Sequence, residues 1–198
     1  MKNQIIACCI LFLAVFSACT ETQKEASKGN HYTVGSKEWF IEFPKNYVSF
    51  ANMPTTLERS IICGQELKAK ITKLICLQKD DTTWVNPIPN QVAVFLIPQN
   101  SLKKSKKECI DQMIQSYSMF ITNGSGRDYR HRDKEVKIAG FDFMELENSI
   151  YDTTGVFSHG DIQFIGKVAE NWMQIQVSFN DTKERDKLRK LILNSKFE

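Results

Sequence analysis

The chain has 198 residues, 42% apolar and 25% charged, which is enough for one domain with a substantial core and excludes an intrinsically disordered polypeptide. Its net charge is only +3, with lysines and acids interspersed. The concentrated basic face that nucleic-acid binding demands is therefore missing, and no nucleic-acid partner is expected.

Lys2 precedes twelve consecutive apolar residues, Ile5 to Phe16, and Ser17, Ala18 and Cys19 follow. A charged start, an apolar run and small residues at its end are the grammar of an export signal. As a helix the run would reach about 18 Å, short of a bilayer's roughly 30 Å apolar core, so a processed signal is expected and not a permanent span. An ordinary secretory signal with an incidental cysteine is the plainer alternative. Phe16-Ser17-Ala18-Cys19 resembles the lipobox of bacterial lipoproteins, with Phe16 where leucine is commoner. The resemblance implies that residues 1–18 are removed and that the Cys19 thiol takes a diacylglyceryl group. Each buried methylene contributes about 0.8 kcal/mol, so two or more chains hold a protein on a membrane where one does not. With Thr20 after the cysteine, the family's sorting habits imply a cell-envelope protein on the outer membrane, facing the periplasm. Residues 19–31 are rich in Glu, Lys, Gln, Ser and Thr and read as a flexible tether. The globular domain is expected at 32–198.

Trp39-Phe40-Ile41-Glu42-Phe43 begins that domain as a strand stopped by Pro44, and Tyr47 to Phe50 continues extended. Between Thr55 and Lys79, the residues Leu57, Ile61, Leu67, Ile71, Leu74 and Ile75 fit a helical stripe broken at Gly64, while the β-branched content also suits strands. The helical assignment is preferred. Asp80 to Thr83 and Pro87 to Asn90 are turns. Val92 to Ile97 is apolar at both parities, the pattern of a central strand covered on each face. Ser101 then caps a helix whose apolar face is Leu102, Cys109, Ile110, Met113, Ile114, Tyr117 and Phe120, ending in the loop Asn123-Gly124-Ser125-Gly126. The lysines at 103, 104, 106 and 107 read as its solvated start.

Strands follow. Glu135 to Ile138 leads through Gly140 into Phe141 to Glu147, where inward parity switches between Phe143 and Met144 and suggests a bulge. After a turn at Asp152 to Gly155, Ile162, Phe164 and Val168 alternate with polar residues. Ala169-Glu170-Asn171 reverses the chain, and Met173, Ile175, Val177 and Phe179 alternate with Gln174, Gln176 and Ser178. This is an antiparallel hairpin with one polar face. Asp181 with Glu184 forms a capping box for a last helix bearing Leu188, Leu191 and Ile192.

Of the six cysteines, Cys8 and Cys9 leave with the signal and Cys19 is the lipidation site, so Cys63, Cys76 and Cys109 remain in the domain. An exported domain permits a disulfide, and three thiols allow three single bridges. Cys63–Cys76 is the candidate pair, against buried free cysteines acting as small hydrophobes.

The order of elements is similar to the PsbP-like fold, shared by the photosystem II accessory protein PsbP, the Ran-binding Mog protein and many bacterial lipoproteins. The residues that carry the likeness are the Phe43-Pro44 strand ending, the strand and long helix between Val92 and Phe120, Lys137-Ile138-Ala139-Gly140-Phe141, and a capped helix ending in Ser195-Lys196-Phe197. The resemblance implies an α+β fold, an antiparallel β-sheet flanked by helices in an α/β/α sandwich. It also implies a non-catalytic binding or assembly role with an envelope protein as partner and no cofactor.

Two chemical sites are weighed against that role. His131/Asp133 and His159/Asp161 repeat a His-x-Asp spacing, and on neighbouring strands they could converge on a divalent metal. That pairing is the basis of the alternative, a small envelope enzyme or metal-dependent factor. Against it, Gly160 and the charges around His131 read as exposed loops. Glu145 and Glu147 share a strand face and read as solvated rather than as an acid/base pair. A binding module should also present an exposed aromatic patch, with Trp172 or Trp84 as its candidates.

Overall fold

The computed structural model describes residues 31–49, 53–58, 60–62, 65–67, 69–80, 90–101, 105, 107–109, 111–112, 114–115 and 128–198. The signal, Cys19, the tether up to residue 30, Cys63, Trp84 and the loop at 123–126 lie outside them. Thirteen strands are described, in chain order: β1 His31–Val34, β2 Lys37–Phe40, β3 Tyr47–Ser49, β4 Thr55–Leu57, β5 Ser60–Ile62, β6 Gln65–Leu67, β7 Ile71–Lys79, β8 Gln91–Pro98, β9 Asp128–Ile138, β10 Phe141–Tyr151, β11 Phe157–Val168, β12 Asn171–Phe179 and β13 Lys196–Phe197. One helix, α1, spans Thr182–Leu193. Helical residues also occur at 107–109, 111–112 and 114–115.

The main sheet has eight strands in the order β3-β7-β8-β12-β11-β10-β9, with β4 also on β7, and every pairing is antiparallel. A three-stranded sheet, β1-β2-β13, joins the two ends of the domain. Strand β8 is buried along almost its whole length, as its double-parity apolar run requires.

Several expectations are corrected. The fold is mostly β, built from antiparallel sheets, and is not a sheet flanked by helices in an α/β/α sandwich. The stretch from Thr55 to Lys79 is responsible: it forms β4 to β7 and adds strands where helix was expected. Its β-branched residues Ile71, Thr72 and Ile75 suit the pleated surface of β7, which is buried from Lys73 to Leu77. No register shift falls between Phe143 and Met144. Strand β10 is inside the sheet and buried on both faces from Glu145 to Ile150, so its parity carried no bulge; the shift lies at Ile150/Tyr151.

The β9–β10 hairpin closes on Ala139 and Gly140 at φ 48° and 91°, the two left-handed residues that a tight twisted turn needs. Gly160, expected in an exposed loop, is buried inside β11 because the Phe179 ring lies over it. A Cβ there would stand 2.6 Å from that ring and 2.5 Å from the Asn148 carbonyl.

Cross-strand alternation separates two clusters. On one face Val92, Val94, Ile162, Phe164, Ile175 and Val177 pack with Leu188 and Ile192 of α1. On the other, Ile71, Ala93, Phe95, Ile97, Leu146, Ile165 and Trp172 pack with Cys109 and the partly buried Ile114. Cys76 and Cys109 are both disulfide-bonded. Cys76 lies opposite Ala93, on this second face with Cys109, while Cys63, the partner expected for Cys76, lies outside the described residues.

Candidate functional site

On the helix face, the carboxylates expected in solvent are buried and held by cations. Glu145, 1% exposed, takes a two-pronged grip from Arg189, with Nε to Oε1 at 2.7 Å and Nη2 to Oε2 at 2.9 Å. Lys134 adds a longer contact at 3.6 Å. Glu147 receives Arg132 at 2.8 Å and Arg185 at 3.2 Å. The hydrogen bond from Arg189 to Glu145 raises the guanidinium pKa further, against the pull of burial. Paired in this way, the two carboxylates fasten α1 to the sheet.

Glu184 departs from its expected role. Asp181 does cap α1, its Oδ1 accepting from Lys183 N at 2.9 Å. The Glu184 carboxylate turns instead to Lys79 at 3.1 Å, Lys187 at 3.2 Å and the Tyr47 hydroxyl at 3.3 Å. Burial pushes its pKa up, but the two ammonium groups outweigh that and hold it below the ordinary carboxylate range.

The opposite face carries the less expected arrangement. Register pairs Gln78 with Gln91, Gln91 with Ser178, Ser178 with Asp161, Asp161 with Asn148, and Asn148 with His131. Residues paired across antiparallel strands point to the same side, so one polar row crosses six strands, about 24 Å at a roughly 4.8 Å spacing. Its ends, Gln78 and His131, reach the surface, while Gln91, Ser178, Asp161 and Asn148 are all buried. The next row along adds Gln176 and Gln163, at 9% and 3% exposure, between Ala93 and Leu146.

Within this band the Tyr129 hydroxyl donates to Asn148 Oδ1 at 2.6 Å, and Asn148 Nδ2 approaches Asp161 Oδ2 at 3.3 Å. Gln163 Nε2 donates to Asp161 Oδ2 at 3.1 Å, and Gln174 Nε2 to Gln163 Oε1 at 2.9 Å. Burial, and then the Asp161 charge, push the Tyr129 phenol far above its usual pKa, so it stays protonated and donating.

The metal expectation is not met. Strand β10 separates β9 from β11, which holds His131 two strands from Asp161, about 10 Å at that spacing. His131 and Asp133 are exposed, the His159 ring contacts Ser158 Oγ at 3.0 Å, and Asp161 faces amide donors. Among the described residues no group of three or more His, Cys, Asp or Glu could hold an ion. Trp172 does not supply the expected aromatic patch, since it is buried, with the Lys167 ammonium 4.9 Å from its ring centre, and Trp84 lies outside the described residues. The single exposed large hydrophobic among the described residues is Val156.

Alternation marked Gln174, Gln176 and Ser178 as a polar face, and the burial of Gln176 and Ser178 is what the sequence reading missed. A signal was present: these positions, with Gln163 and Asn148, hold amides and a hydroxyl where a solvated strand face more usually carries Lys and Glu.

The fold and its faces define a mostly antiparallel β protein with one face clamped by ion pairs to α1 and the other crossed by a covered polar row. No protein-family model and no curated protein matches the chain. Among solved structures it is similar to the solution structure of cyanobacterial PsbP (CyanoP) from Synechocystis sp. PCC 6803. The match covers 86% of each chain at 9% identity, with a TM-score of 0.44. A likeness of that degree carries no argument about residues, ligand or activity.

Proposed function

We propose that the chain is a cell-envelope lipoprotein, anchored through a diacylglyceryl group on Cys19 to the outer membrane and facing the periplasm. In this reading its domain is a non-catalytic binding or assembly module with an envelope protein as partner. The observation that supports the binding role is the end of the polar row on the edge strand β9, where the exposed His131 ring stacks on Tyr129 with centres 5.8 Å apart. The buried carboxylates of the other face are engaged by Arg132, Arg185 and Arg189, which suits a structural duty better than proton transfer. The anchor rests on the residues around Cys19.

Labelling cells with radioactive palmitate tests the anchor. The natural protein should take label and sediment with membranes, and a Cys19→Ala version should do neither. Equal labelling of both, or of neither, would remove the address. A photo-reactive side chain at His131, where the row opens on the surface, tests the partner. It should yield an adduct with an envelope protein that the same group at Lys190, exposed on α1, does not. Identical adducts from both positions would remove the binding role.

A further inference from the structure

The two margins of the main sheet are unequal. At one, β3 and β4 are three residues each, the short kind of edge that resists pairing with foreign strands. At the other, β9 runs eleven residues and meets β10 without a register shift. No described strand lies on its outer side, so its unpaired backbone groups form an unbroken template. Arg130 to Glu135 are exposed at both parities. Toward α1 the strand presents Arg130, Arg132 and Lys134, and on its other face Asp133 and Glu135 follow Tyr129 and His131.

Charge decides what this template accepts. Residues facing each other across an antiparallel pair share a face, and like charges there are destabilising. Two copies of β9 paired about Arg132 set Arg130 against Lys134 and Arg132 against itself. Paired about Asp133, they set Arg132 against Lys134 and Asp133 against itself. The pattern therefore turns away a second copy and suits a strand of the opposite charges. Its cations have capacity for one. The Arg132 side chain is 72% exposed and that of Lys134 55%, and the carboxylates beneath them are held by Arg185 and Arg189 as well. We propose that β9 docks an extended segment of an envelope protein, which adds antiparallel to it as a further strand. That segment carries acidic residues at alternate positions facing Arg130, Arg132 and Lys134, and basic residues opposite Asp133 and Glu135. Backbone hydrogen bonds supply the affinity, and the alternating charges supply the choice of partner. This inference rests on the binding role proposed above and adds the partner's conformation and charge.

The experiment titrates the full-length, detergent-solubilised protein with the blocked peptide Lys-Glu-Lys-Glu-Tyr-Glu-Val, complementary to Glu135 back through Tyr129, following backbone amides by NMR. Saturable shifts should centre on β9, with slowed hydrogen exchange at its outward amides. A peptide of the same composition with its glutamates adjacent, Glu-Glu-Glu-Lys-Tyr-Lys-Val, should bind about tenfold more weakly. Asp133→Lys with Glu135→Lys should weaken the first peptide by a similar factor at an unchanged melting temperature. Neither residue enters the ion pairs at Glu145 and Glu147. Equal binding of both peptides overturns the alternating charge, as does undiminished binding by the variant. Shifts confined to other strands overturn the edge. Shifts in β9 that grow with protein concentration alone identify a second copy and overturn the foreign partner. With no peptide shifts, a specific His131 adduct in cells overturns the edge and leaves the binding role standing, whereas failure of both removes both.

Discussion

The indole nitrogen of Trp39 donates to the hydroxyl of Ser195 at 2.8 Å, across 156 positions of chain, and both residues are buried. The Ser195 hydroxyl in turn donates to the Ile192 carbonyl at 2.7 Å, in the last turn of α1. Phe197 stacks on Trp39 with ring centres 6.0 Å apart, and Glu38 and Glu198 exchange backbone hydrogen bonds at 3.1 and 2.9 Å. The end of the domain is thus closed onto its beginning. Ser195→Ala leaves the indole N–H buried without its acceptor, a loss of about 1–3 kcal/mol. For a chain of this size the melting temperature should fall by roughly 2–4 °C per kcal/mol. Trp39→Phe removes donor and need together, so adding Ser195→Ala to it should cost much less. Equal losses from Ser195→Ala in both backgrounds would show that the bond contributes nothing.

Arg189 and Glu145 set the docking of α1 on the sheet. Removing one member of a buried ion pair leaves a charge in low dielectric, typically a loss of about 3–5 kcal/mol. Because Lys134 stays near Glu145, Arg189→Ala should fall at the low end of that range. A double change to Glu145→Leu and Arg189→Met should recover most of it, since apolar replacements of similar size are often neutral. Urea unfolding midpoints of the two singles and the double measure this directly. A double variant no more stable than Arg189→Ala would place the energy in helix packing and not in the pair.

Glu184 predicts a specific acid response. Its folded-state pKa is depressed by Lys79 and Lys187, so the stability it contributes is fully present above the ordinary carboxylate range and is lost as pH falls through the folded value. Wild type should therefore exceed Glu184→Gln by about 1–2 kcal/mol at neutral pH, the scale of charged hydrogen bonds to partly exposed partners. The gap should close as pH drops below the carboxylate range. Paired urea titrations read it, and a gap independent of pH would remove the ion pairs as its cause.

The parts of this fold legible in the sequence are those whose period survives intact. Val92 to Ile97, the hairpin from Ile162 to Phe179 and the helix after Asp181 each keep one spacing along their length, and each forms as expected. Thr55 to Lys79 misled for a local reason. A register shift between Lys73 and Ile75 sets Leu74 and Ile75 side by side in the same core cluster, and with Ile71 they imitate a helical stripe. The carboxylates at 145 and 147 were legible as sharing a face, but not as buried, because Arg185 and Arg189 arrive from about forty residues away. The polar row was invisible for the same kind of reason: each member sits on a different strand, and only the register aligns them.

Cys76 on β7 and Cys109 are both disulfide-bonded and lie on the face that carries the polar row, so a single Cys76–Cys109 bridge is expected. It closes a loop of roughly 30 residues, and the chain-entropy model assigns such a loop about 3–4 kcal/mol. Cys109 is 3% exposed and Cys76 fully buried, so the bridge is shielded from small thiols in the folded state. Reduction should consequently be slow in native buffer and fast in moderate urea, where local opening exposes the sulfurs. A Cys76→Ala, Cys109→Ala double variant should unfold at a markedly lower urea concentration than the oxidised protein. Added dithiothreitol should bring the wild type to the same midpoint and leave the variant unchanged. Peptide mapping under non-reducing conditions should recover Cys76 and Cys109 in one linked species; a Cys63–Cys76 species would overturn the pairing and with it the tie across this face.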